Sequence, residues 1–123
     1  LPRYFENITI KHLLNHTSGI YNYEDMPHDD TQIVDNDIIT FLKTTNKTYF
    51  KPGSMYKYSN TGYILLGLIV EKVSNRSIVD YIENEIFKDA LMYESKVNIE
   101  GTTVISNRAY GHIIENDKLL VKD

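Results

Sequence analysis

Lys51-Pro52-Gly53-Ser54-Met55-Tyr56-Lys57-Tyr58-Ser59-Asn60-Thr61-Gly62-Tyr63 is the stretch on which the reading of this chain turns. Pro52-Gly53 is a turn signal, and the polar residues beyond it lead into Ile64-Leu65-Leu66-Gly67-Leu68-Ile69-Val70, the most apolar run of the sequence. Polar groups fixed to the start of a buried element hold a defined geometry, which catalysis requires. The Tyr58 phenol can donate or accept a proton and the Asn60 carboxamide can do both, so these two are candidates for one cleft. The bland alternatives are a packing tyrosine, one of ten in the chain, and an asparagine that caps the following helix.

Upstream, Thr9 is a plausible N-cap for a short helix over residues 10–16, stopped by Gly19, with Leu13 and Leu14 towards a core. His12 and His16 would then share one helical face, but no acidic partner sits between them and no third ligand is visible, so no metal site is expected. Residues 21–30 have no clear period and read as a surface loop. Residues 31–45 read as a helix with Asp35 or Asn36 near its start, ended by Asn46 and Lys47.

Downstream, a helix is expected from about Asn60 or Thr61 to about Ser74 or Asn75, apolar on nearly every side and so at the centre of a packed domain. Gly62 and Gly67 mark places where neighbouring elements come close. Ser77 with Asp80 forms a capping pattern for a further helix, whose buried face would be Ile78, Val79, Tyr81, Ile82, Ile86 and Phe87. From Tyr93 β-branched residues replace helical periodicity, and residues 109–121 read as a hairpin around Asn116-Asp117.

Composition narrows the function classes. A net charge of −4 without a basic stripe argues against nucleic-acid binding. The longest apolar stretch, residues 63–70, falls well short of the roughly 18 residues of a membrane span. With no cysteine, disulfides, thiolate metal sites and a thiol nucleophile are excluded within the chain. Leu1-Pro2-Arg3-Tyr4 lacks a signal-peptide pattern. The absence of an initiator Met, with Lys118-Leu119-Leu120-Val121-Lys122-Asp123 reading as a strand that stops without a partner, leads to the expectation of a fragment of a longer protein.

The central stretch resembles the middle motif of the serine β-lactamase and penicillin-binding protein superfamily. The match is to the class C β-lactamase, D-alanyl-D-alanine carboxypeptidase and esterase branch, whose Tyr-x-Asn replaces Ser-Asp-Asn. Ile8-Thr9-Ile10-Lys11-His12-Leu13-Leu14-Asn15-His16-Thr17-Ser18-Gly19-Ile20 resembles the Leu-Leu-x-His-Thr-Ser-Gly helix of the same family, in the right order. The resemblance implies a mainly α fold with a small β-rich C-terminal tail, the all-helical lobe of a β-lactamase-like α plus α/β fold. Residues 1–92 would form the helical lobe, and residues 93–123 the crossover and hairpin leading towards an α/β lobe. Ala109-Tyr110-Gly111-His112 lies near the family's Ala-x-Gly-Tyr, with His112 in place of the tyrosine.

By the same resemblance, Tyr58 would shuttle protons between a serine nucleophile and the leaving group. Asn60 would hold the substrate amide and the catalytic lysine, Ser59 would lie outside the site, and His16 would be structural. The family's Ser-x-x-Lys would precede Leu1 and its strand motif would follow Asp123. The local Ser54-Met55-Tyr56-Lys57 falls where the family has a loop, which does not give the alignment of a helix. The expected activity is therefore that of a serine hydrolase acting on β-lactams, D-alanyl peptides or esters, without a cofactor, with this chain inactive alone. A non-catalytic binding or sensor relative and a plain helical interaction domain are the alternatives. An extracytoplasmic location is implied by the resemblance only.

Overall fold

The computed structural model describes residues 2–27, 33–45, 48–99 and 101–122. The chain forms two compact units, Leu1–Ile78 and Val79–Asp123. The first begins with a 3-10 turn, Arg3–Phe5, followed by helix α1, Ile10–Leu14. Thr9 caps α1 through a reciprocal pair: its Oγ1 accepts the His12 backbone N–H at 3.2 Å, and His12 Nδ1 accepts the Thr9 N–H at 3.3 Å. A histidine here fills the place that Glu or Gln takes in the usual capping box.

α1 ends earlier than expected. His16 sits in the left-handed region at φ +55° and turns the chain, so the stop comes from His16 rather than Gly19. His12 and His16 accordingly do not share a helical face. Gly19 instead serves a close approach between segments. At φ +71° its carbonyl accepts the Tyr49 N–H at 2.7 Å, and a Cβ there would lie 2.3 Å from the Phe50 carbonyl oxygen. Only glycine fits both the conformation and the approach.

After a 3-10 turn at Tyr23–Asp25, helix α2 spans Asp35–Thr44, and the Asp37 carboxylate accepts the Val34 N–H at 3.1 Å. A carboxylate in a first turn also complements the helix dipole. The stop assigned to Asn46 and Lys47, and the start at residues 31–32, lie outside the described residues. Helix α3 spans Asn60–Ser74 and ends at Asn75, left-handed at φ +56°, close to where the sequence places both ends.

The core consists of Phe5, Leu13, Ile20, Ile38, Leu42 and Leu65, so α1 and α2 share it with one side of α3. Gly62 lets α1 come close: a Cβ there would meet the Leu13 carbonyl oxygen at 3.4 Å. At Gly67 the nearest atom, Ile78 Cγ1, is at an ordinary 3.9 Å. The expectation that α3 is buried all round is not met. Thr61, Gly62 and Leu65 are buried, whereas Val73 is 82% exposed. The elements packed on α3 cover one side, and beside them runs an apolar hollow of about 320 Å³ lined by Phe5, Ile8, Leu13, Ile39, Leu65, Leu68, Ile69 and Lys72.

The next helix, α4 at Ile78–Tyr81, receives its first hydrogen bond from α3, since Glu71 Oε1 accepts the Ile78 N–H at 2.8 Å. It passes into a π-helical turn at Ile82–Phe87. The wider turn breaks the 3.6-residue spacing, so the expected apolar face does not form a buried stripe: Ile78, Val79, Tyr81, Ile82 and Phe87 are half-buried and Ile86 is 49% exposed. The β-branched stretch that follows forms turns instead of strands. Thr103 Oγ1 accepts the Ile99 N–H at 2.9 Å and donates to the Val97 carbonyl at 3.1 Å, local bonds that replace a ladder.

Strand structure among the described residues is the hairpin of β1, His112–Glu115, and β2, Lys118–Val121. Its antiparallel register pairs His112 with Val121 and Glu115 with Lys118. Asn116 at φ +50° and Asp117 at φ +58° make the left-handed pair of a type I′ turn, as the sequence signal predicts. Every strand residue is exposed.

Candidate active site

The site candidates sit where residues 55–59, outside any helix or strand, enter α3. Ser59 occupies the N-cap position and is buried, yet its side chain makes no cap bond. The first N–H groups of a helix need partners, and the partner here comes from elsewhere in the chain. Asn22 Oδ1 accepts the Asn60 N–H at 2.9 Å and the Thr61 N–H at 3.4 Å. Thr61, fully buried, returns the link by accepting the Tyr23 N–H on its Oγ1 at 2.7 Å. The segment around Asn22, read from sequence as a surface loop, is thus joined to the start of α3, and Asn22 itself is buried.

Tyr58 is held by its neighbours' backbone. The His16 carbonyl accepts the Lys57 N–H at 3.0 Å and His16 Nδ1 accepts the Ser59 N–H at 3.3 Å, so His16 secures the chain on both sides of Tyr58. An accepting Nδ1 assigns the ring proton to Nε2. The His16 ring also lies 4.4 Å from the Tyr58 ring and 5.2 Å from that of Tyr63. With its ring so placed, Tyr58 remains 56% exposed.

Asn60 is half-buried, and its Nδ2 donates to Glu24 Oε1 at 3.0 Å. It borders a hollow of about 380 Å³ together with Tyr23, Asp35, Tyr63 and Glu71, and Tyr58 does not line that hollow. The structure therefore brings both residues to one end of α3 with different partners, His16 for Tyr58 and the Asn22–Glu24 pair for Asn60.

The Ser-x-x-Lys at Ser54 and Lys57 lies outside any helix. Ser54 Oγ donates to the Lys51 carbonyl at 2.6 Å, closing a turn. Lys57 Nζ stands 3.8 Å from Asp25 Oδ2 and 4.1 Å above the Tyr49 ring. The Tyr49 phenol donates to the Asp25 carboxylate. Burial, reinforced by that bond and by the Asp25 charge, pushes the Tyr49 pKa up to about 12. Sequence reading missed Asn22, Glu24, Asp25 and Tyr49, whose partners lie far along the chain. No group of three or more His, Asp or Glu side chains poised to hold a metal is found among the described residues.

A sequence model of the Beta-lactamase family matches residues 1–109. The chain belongs to the β-lactamase family. This β-lactamase-family chain is 38% identical over 118 residues to penicillin-binding protein 4* of Bacillus subtilis, an alignment covering 90% of the chain and 26% of that protein. It superposes on the penicillin-binding protein of Bacillus halodurans with a TM-score of 0.75 at 33% identity, covering 95% of this chain and 38% of the other. The D-amino acid amidase of Ochrobactrum anthropi SV3, complexed with D-phenylalanine, gives a TM-score of 0.72 at 28% identity, covering 94% and 33%. The β-lactamase-family chain thus spans a minor part of each relative's length. The resemblance carried by the Tyr58-Ser59-Asn60 and His16-Thr17-Ser18-Gly19 motifs is borne out, and the fold is β-lactamase-like.

Proposed function

We propose that this chain is the helical lobe of a longer serine hydrolase that acts on β-lactams, D-alanyl peptides or esters through an acyl-enzyme. Tyr58 takes the proton of the attacking serine and passes it to the leaving group, while Asn60 binds the substrate amide. The serine, its lysine and the oxyanion donors come from parts of the protein beyond these 123 residues, so the chain alone is inactive. In this reading residues 1–92 belong to the helical lobe, residues 93–123 lead towards the α/β lobe, and the protein works outside the cytoplasm.

The observation that supports the reading best is the hold of His16 on Lys57 and Ser59, which fixes the backbone under an exposed phenol beside Asn60. A proton shuttle needs such a fixed and reachable group. The test is made in the full-length protein, with a chromogenic β-lactam and a D-alanyl ester as substrates. Tyr58→Phe should lower kcat on the order of 100- to 10,000-fold, with thermal unfolding unchanged. Saturable but non-covalent binding of a fluorescent penicillin, with no acyl adduct and no turnover of either substrate by the parent protein, would favour the non-catalytic binding or sensor reading. Turnover by the isolated chain, abolished by Ser54→Ala, would instead make the loop Ser54–Lys57 pair the nucleophile and overturn the assignment.

A further inference from the structure

Three hydrogen bonds close a ring around Asn60. Its backbone N–H donates to Asn22 Oδ1 at 2.9 Å, Asn22 Nδ2 donates to Glu24 Oε2 at 2.8 Å, and Glu24 Oε1 accepts Asn60 Nδ2 at 3.0 Å. Each link determines the next. Asn22 must turn its oxygen towards the α3 amides, which only donate, and so must present its NH₂ to Glu24. An ionised carboxylate only accepts, so Asn60 must present its NH₂ as well.

We infer that Glu24 is a positioning residue that fixes which end of the Asn60 carboxamide is turned towards the reaction partner. With Nδ2 held on Glu24, Oδ1 is the end directed away, an acceptor for an ammonium or an N–H donor. Without the carboxylate, the two ends of an amide are nearly equal in size and the group can turn over, offering a donor where an acceptor is needed. Both Glu24 oxygens are engaged, one on each asparagine, so the same residue couples the cap of α3 to the orientation of the side chain.

The inference rests on the catalytic reading of Asn60, and a double-mutant cycle in the full-length protein separates the two. The variants are Asn60→Ala, Glu24→Gln, Glu24→Ala and the Asn60→Ala pairs, assayed with a chromogenic β-lactam, with thermal unfolding followed in parallel. A glutamine has the shape of Glu24 but can accept from only one of the two amides and brings an NH₂ against the other. The expected result is a loss of kcat/KM on the order of 10- to 100-fold for Glu24→Gln, and no further loss when the change is made on Asn60→Ala. Should Glu24→Ala fail to fold, the Glu24→Gln arm carries the cycle alone. An equal loss on both backgrounds would show a merely structural role, and full activity of Glu24→Gln beside an impaired Asn60→Ala would overturn the inference while leaving the site intact. Full activity of Asn60→Ala would overturn both.

Discussion

The side-chain oxygen of Asn22 lies 2.9 Å from the backbone nitrogen of Asn60, 38 residues away in sequence. A helix cap is usually supplied by the residue that precedes the helix; here it comes from a distant segment. Replacing Asn22 by Ala leaves two N–H groups without their acceptor and should destabilise the protein by about 1–3 kcal/mol, read from urea unfolding. Asn22→Asp keeps an acceptor at the helix N-terminus but sets a carboxylate against Glu24 Oε2, which accepts from Asn22 Nδ2 at 2.8 Å. The comparison is therefore made in a Glu24→Gln background, where Asp should recover part of the loss seen with Ala. Equal losses of Asn22→Ala and Asn22→Asp in that background would show that the cap is not what stabilises this junction.

Thr61 offers an independent measure of the same junction. It is fully buried and accepts the Tyr23 N–H. Thr61→Val keeps the shape and removes the acceptor, which should cost about 1–3 kcal/mol. Amide hydrogen exchange at Tyr23 should accelerate in the variant; unchanged exchange would mean that another group holds the loop.

Gly19 and Gly101 separate backbone strain from collision. Both have φ near +70°, but a Cβ at Gly19 meets the Phe50 oxygen at 2.3 Å while Gly101 has nothing within 4 Å. Gly101→Ala should cost about 1–2 kcal/mol, the left-handed penalty alone. Gly19→Ala should cost clearly more, since the Tyr49–Phe50 backbone must also move. Similar midpoints in thermal unfolding would contradict this.

Tyr49 sets an alkaline limit. Its pKa is raised from 10.0 to about 12, first by burial and then by its bond to Asp25 and the charge there. The folded state therefore keeps a proton that the unfolded chain gives up. That contribution is complete below about pH 10 and is lost as pH rises towards about 12. Between those limits the melting temperature of the wild type should fall more steeply than that of Tyr49→Phe, and parallel curves would refute the assignment.

What was legible in the sequence was local. The cap at Thr9, the C-terminal end of α3, and the Asn116-Asp117 turn each depend on residues within a few positions of one another. The Tyr58-Ser59-Asn60 and His16-Thr17-Ser18-Gly19 motifs likewise stand as short words in the chain. What escaped was contact across distance. Asn22 reads as a loop residue until α3 is placed over it, and Lys57 reads as half of a Ser-x-x-Lys until Asp25 and Tyr49 are beside it. The π-helical turn at Ile82–Phe87 carries no spacing signal, since the same residues satisfy an α-helical pattern equally well.

His16 has one further bearing, on attempts to make such a protein hardier. A common stabilising change puts glycine wherever another residue occupies the left-handed region, and Asn75 and Asn107 invite it. At His16 the same change would relax the backbone and at once take away the imidazole against which Tyr58 and Tyr63 rest. A survey of torsion angles alone would choose that substitution and loosen the motif it was meant to support.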